Sequence, residues 1–140
     1  MILVITRWAA IYFAIVFGVG FVLGPIRVLW LEPRLGVRLA ELIEAPFMCL
    51  AIILAGRWVG QSLRSRSGEA AMLGVGALAA GLVLAADVFV GVGIRSMSVV
   101  EVFVTRDPIS GAVYYALVGF TAVAPWLFGR NAGAGEHERD

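Results

Sequence analysis

Four apolar runs, separated by short polar punctuation, set the frame of the chain. The first extends from Trp8 to Ile26, nineteen residues without a charge, about the length that crosses a hydrocarbon core of ~30 Å. Met1 to Ile5 is apolar instead of basic and no A-x-A site follows the run, so it reads as a span and not as a cleaved leader. Glu32-Pro33 ends it, because the residue before a proline is pushed out of helical geometry. The second run, Ala45 to Gly56, has twelve uninterrupted apolar residues, or ~18 Å of helix, too short to cross. A helix from about Gly36 to Gly60 must therefore carry Arg38, Glu41 and Glu44 in its first third and contain Pro46. The third run goes from Ala70 to about Ile94 and includes Asp87, with Ser67 as a cap and Glu69 in the first turn. Asp107-Pro108 opens the fourth as N-cap and first helical residue, and Pro125 bends only its last turn.

The pattern predicts an all-α integral membrane protein of four transmembrane helices in an up-down bundle. The spans are about 7–31, 36–60, 69–94 and 108–129, in a single domain over 1–131 followed by a flexible polar tail over 132–140. Between spans three and four the stretch RSMSVVEVFVTRD is too short and too charged to cross. Ser98 with Glu101 fits a capping box, and Met97, Val100, Phe103 and Val104 would line one face of a short interfacial helix, with a local strand or loop as the alternative.

Composition narrows the chemistry. The chain is 61% hydrophobic and 15% charged, against roughly 45 to 50% and ~25% in soluble domains, and its mean hydropathy is +0.93. All eleven basic residues are arginine, which excludes Schiff-base mechanisms that need a lysine amine. A net charge of +1 with no solvated basic stripe argues against a nucleic-acid partner. The lone Cys49 reads as a buried small hydrophobe, and the lone His137, in the polar tail, excludes haem or zinc sites built on several histidines. No cofactor is implied. Richness in Arg, Ala, Gly and Val fits a GC-rich bacterial genome.

Four spans put both termini and the 57–69 loop on one side. That side holds six arginines and the other five, so basic residues alone barely orient the chain. The acids gather opposite the tail: Glu32, Glu41, Glu44, Asp87, Glu101 and Asp107. This balance, with Trp8, Trp58 and Trp126 as an interfacial belt, places the tail side in the cytoplasm of a bacterial inner membrane.

Charges in such a chain are costly unless they pair or meet water. Arg34, Arg38 and Glu41 are spaced i, i+4, i+7 and would share one helical stripe, with Glu44 about 60° round from Glu41. Arg27, Arg38, Glu41, Glu44 and Asp87 form the expected intramembrane polar cluster, Arg27 or Arg38 pairing with Glu41, Glu44 or Asp87. Two readings stay open: an interhelical salt-bridge network, or a solvated vestibule in which Glu44 and Asp87 handle a proton or cation. Small residues four apart, Gly20 with Gly24 and Ala77 with Gly81 and Ala85, suit close helix packing.

Glu41, Glu44 and Pro46 on a second helix resemble the membrane-associated glutathione and eicosanoid enzymes, whose second helix carries Arg, Asn, Glu and Pro. Here Ala40 and Glu41 stand where the asparagine would be sought. The motifs G-P-x-R at Gly24 to Arg27, P-R-x-G at Pro33 to Gly36 and A-E-x-x-E-x-P-x-M at Ala40 to Met48 also resemble small bacterial multi-span proteins of no assigned function, which implies architecture alone. The residues favour a non-enzymatic accessory or assembly protein whose partners are the lipid bilayer and other membrane proteins or itself. The alternatives are a proton or small-solute transport subunit using Glu44, Asp87 and Arg38, and a glutathione-transferase-like enzyme.

Overall fold

A computed structural model describes residues 1–104 and 107–131; Arg106, His137 and the predicted flexible tail lie outside the described residues. The described chain is helical and contains no strand: α1 (Ile2–Ile26), a π-helical turn (Arg27–Leu31), α2 (Glu32–Leu35), α3 (Val37–Arg64), α4 (Glu69–Gly93), α5 (Val99–Val104) and α6 (Pro108–Asn131). Four helical stretches are long and apolar enough to cross a membrane: Ile2–Leu35, Val37–Arg64, Glu69–Gly93 and Pro108–Asn131.

The first of these does not stop at Glu32-Pro33. The wide π turn opens the hydrogen-bond ladder ahead of Pro33, so the helix continues to Leu35. It ends at Gly36, whose φ of +84° only glycine adopts without strain. α4 likewise starts differently from the sequence expectation. Gly68, extended, is its N-cap and no side chain caps it, so Ser67 has no capping role. α5 does carry the reciprocal Ser98–Glu101 box: Ser98 N–H donates to Glu101 Oε2 at 2.8 Å and Glu101 N–H to Ser98 Oγ at 3.2 Å. Its one buried residue is Val102, seated against Gly91 of α4.

The long helices form a ring in the order α1, α3, α6, α4, with α1 diagonal to α6 and α3 nearly diagonal to α4. Trp8 packs on Trp58, Gly20 on Met48 and Arg27 on Glu44, so α1 and α3 run antiparallel. Gly56 meets Ala124 and Arg38 meets Asp107, so α3 and α6 run parallel. Glu69 meets Trp126 and Asp87 meets Tyr114, so α4 and α6 run antiparallel.

The core is apolar: Ala9, Tyr12, Val16, Ile52, Val59 and Val75 are among its fully enclosed residues. Close backbone approach is what builds it. A Cβ on Gly60 would strike the Pro125 carbonyl, one on Gly76 the Ala122 carbonyl, and one on Gly129 the Met72 sulfur. Pro125 removes the N–H that would bond the Thr121 carbonyl one turn earlier. Tyr12, reaching across the bundle from α1, donates its hydroxyl to that carbonyl at 3.0 Å, with Tyr12 0% and Thr121 2% exposed. In an apolar interior such a replacement donor is required, because an orphaned carbonyl there is expensive.

Candidate functional site: the charged mouth of the bundle

At the end of the bundle where α1 passes into α2, three polar pairings converge. The first depends on the π turn. Residues five apart on an α-helix point ~140° away from each other, but i→i+5 closure stacks them. Glu32 N–H donates to the Arg27 carbonyl in that way, and Arg27 Nε lies 3.3 Å from Glu32 Oε1. The N–H is not aimed at that oxygen, so Nε, though buried, makes no hydrogen bond there. Arg27 Nη1 donates to Glu44 Oε2 of α3 at 2.9 Å, the side chains being 21% and 12% exposed.

The second pairing joins Arg38 of α3 to the start of α6. Arg38 donates to both oxygens of Asp107, Nη2 at 2.8 Å and Nε at 3.0 Å, in the fork geometry that suits a guanidinium and a carboxylate. Asp107 also caps α6: its Oδ2 accepts the N–H groups of Ile109 and Ser110, each at 3.1 Å. The Arg38 hydrogen bonds, then the Ser110 N–H, hold the Asp107 carboxyl down from 3.8 to about 2. In the third pairing, Tyr114 of α6 donates its hydroxyl to Asp87 Oδ2 of α4 at 2.6 Å.

Of the five residues expected to cluster, two pair with each other and two pair with residues outside the set. Arg27 and Glu44 meet, while the carboxylate of Arg38 is Asp107 and Asp87 sits with Tyr114. Gly36 also separates Arg34 from Arg38 and Glu41, so those three do not share a helical stripe. Glu41 forms no ion pair among the described residues. It borders two small clefts, one of about 60 Å³ beside Arg27, Glu44, Ser110 and Tyr114, and one of about 140 Å³ with Asp87, Arg95 and Asp107. Each has room for a few water molecules among polar partners. Among the described residues no group of three or more His, Cys, Asp or Glu side chains is disposed around a metal position.

Among the small residues expected to pack helices, Gly20 meets α3 and the others lie apart from the close contacts. Gly20 touches Met48 at ordinary contact distance, whereas nothing lies within 4 Å of a Cβ placed on Gly24 or Gly81. Ala77, Gly81 and Ala85 face outward. The glycines that let the long helices touch are Gly56, Gly60, Gly76 and Gly129. Gly56 and Gly60 stand four apart, a legible signal, but Tyr114 and Tyr12 carried none that distinguishes them from other apolar-run aromatics.

Comparison with known proteins adds no relative: no family model matches the chain, and no curated protein or solved structure does.

Proposed function

We propose that this chain is a four-span, up-down protein of a bacterial inner membrane, with both termini cytoplasmic and α5 lying in the interface, and that it acts as a non-catalytic accessory or assembly partner. A band of exposed apolar side chains supports residence in lipid; Phe21, Phe47, Leu54 and Phe89 are each more than half exposed. Trp58 to Glu44 is ~21 Å along α3 and Trp126 to Tyr114 is ~18 Å along α6, at 1.5 Å per residue. With the tryptophans at one interface, the charged mouth lies about two-thirds of the way across a ~30 Å core.

The observation that carries the non-transport reading is the closed half beneath the mouth. From Tyr12 and Ile52 down to Leu63 and Met72 the core is apolar, and Gly60 and Gly76 bring backbones into contact with α6. The one polar link there, Tyr12 to Thr121, is internally satisfied. A hydrated path would have to break that packing. Proteoliposomes with a pH-sensitive dye test it. The expected result is proton flux equal to protein-free vesicles; flux that is lost in Glu44→Gln or Asp87→Asn would overturn the proposal.

A proton- or cation-handling subunit is the second reading, favoured by Glu41 between the two clefts and by Tyr114 bonded to Asp87. The same flux measurement decides between the two. Turnover of a thiol or lipid substrate by purified protein, abolished by Arg38→Ala, would establish the enzyme reading instead.

A further inference from the structure

The two ends of the bundle treat their arginines differently. At the mouth, Arg27 and Arg38 pair with carboxylates, and Arg34 and Arg95 share that end with an excess of acids, Glu32, Glu41, Glu44, Asp87, Glu101 and Asp107. At the opposite end stand Arg7, Arg57, Arg64, Arg66 and Arg130, all exposed, with Glu69 the one carboxylate among the described residues there. Glu69 is already engaged, accepting Trp126 Nε1–H at 3.0 Å. Arg7, Arg57 and Arg66 have no carboxylate within ion-pair distance among the described residues.

Tryptophans fix the level of these arginines. Trp8 and Trp58 form an edge-to-face pair across the α1–α3 seam, centroids 5.5 Å apart, and Arg7 and Arg57 are their immediate neighbours in the chain. On α6 the Arg130 guanidinium carbon lies 4.6 Å from the centroid of the Trp126 ring. Indole rings settle at the boundary between hydrocarbon and headgroups. Arginines at that level are within reach of lipid phosphates, which the planar guanidinium binds through two parallel hydrogen bonds.

We infer that this end is a binding surface for anionic phospholipid headgroups, with Arg7 and Arg57 beside the Trp8–Trp58 pair as its centre. The inference rests on the chain residing in a membrane and is independent of its accessory or transport role. Charge complementarity selects the occupant: an excess of guanidinium groups in the headgroup layer favours a lipid that carries net negative charge over a zwitterionic one. The 132–140 segment brings Arg139 but also Glu136, Glu138 and Asp140, and neutralisation of the arginines by these carboxylates is the competing arrangement.

The test is electron spin resonance of spin-labelled lipids beside the full chain in neutral bilayers, comparing phosphatidylglycerol with phosphatidylcholine. One arginine near an anionic headgroup contributes about fivefold, so phosphatidylglycerol is expected to be favoured by about that factor. Arg7→Gln with Arg57→Gln should lower the preference at least twofold, Arg57→Lys should retain most of it, and Arg34→Gln with Arg95→Gln at the mouth, where the described carboxylates outnumber the arginines, should leave it unchanged. Inorganic phosphate should compete no better than sodium chloride of equal ionic strength. Equal association of the two lipids with the wild-type chain, a preference removed equally by the mouth variant, or specific displacement by phosphate would each overturn the inference.

Discussion

Replacing Tyr12 by phenylalanine removes one oxygen from a fully enclosed side chain and leaves the Thr121 carbonyl with no donor, because the residue one turn further on is Pro125. The ring still fills its place, so no cavity term enters. An unsatisfied buried acceptor costs ~1–3 kcal/mol, while interhelical hydrogen bonds inside membranes average nearer ~0.6 and reach ~1.7 kcal/mol. The Thr121 carbonyl has lost its intrahelical partner to proline, which places Tyr12→Phe at the upper end of the membrane range, about 1.5 kcal/mol. The decisive experiment is a double-mutant cycle with Pro125→Ala, which returns an N–H to the position that bonds Thr121. In that background Tyr12→Phe should cost less than about 0.5 kcal/mol, since the carbonyl then has a partner in its own helix. Reversible unfolding in mixed micelles, followed by helicity, gives the midpoints at constant slope. Equal losses in the two backgrounds would refute the idea that Tyr12 compensates for the proline.

Gly76→Ala drives a methyl group into the Ala122 carbonyl and Gly60→Ala one into that of Pro125; each should destabilise by at least ~1–3 kcal/mol in the same assay, whereas Gly81→Ala, with open space around it, should be neutral or stabilising by ~0.5–1 kcal/mol. Arg27→Gln leaves the largely buried Glu44 without its guanidinium and should cost about 3 kcal/mol, while Arg27→Met with Glu44→Leu, which removes both charges, should recover most of that loss. Because the Asp107 carboxyl is held at about 2 when folded against 3.8 ordinarily, its contribution is present above about pH 4 and lost as pH falls towards 2. Asp107→Asn should remove that part of the acid dependence of unfolding.

Helix number and approximate placement were legible because hydrophobic runs of span length leave few alternatives. The requirement that Arg38, Glu41 and Glu44 ride on the second long helix followed from its twelve-residue apolar part alone, and α3 begins at Val37. Pairing was less legible. Arg27 and Glu32 are five apart, a spacing that an α-helical reading separates and a π turn brings together. Asp107 read as a cap and proved to be a cap and an ion-pair partner at once. Which small residues face inward depends on helix rotation, and a stripe such as Ala77, Gly81 and Ala85 looks the same in sequence whether it meets a helix or the outside.

The ring order has a consequence for how the bundle is assembled. α3 and α4 follow one another in the chain, yet they touch little and both lie along α6. α6, which follows both in the chain, is thus the helix that joins them, and the contacts at Gly60 and Gly76 do not exist before it docks. Until then α4 is held to the α1–α3 hairpin mainly through α1, with only a slight contact to α3. Docking of α6 is therefore the step that closes this bundle, and a chain cut before Pro108 holds three long helices without the element that locks them.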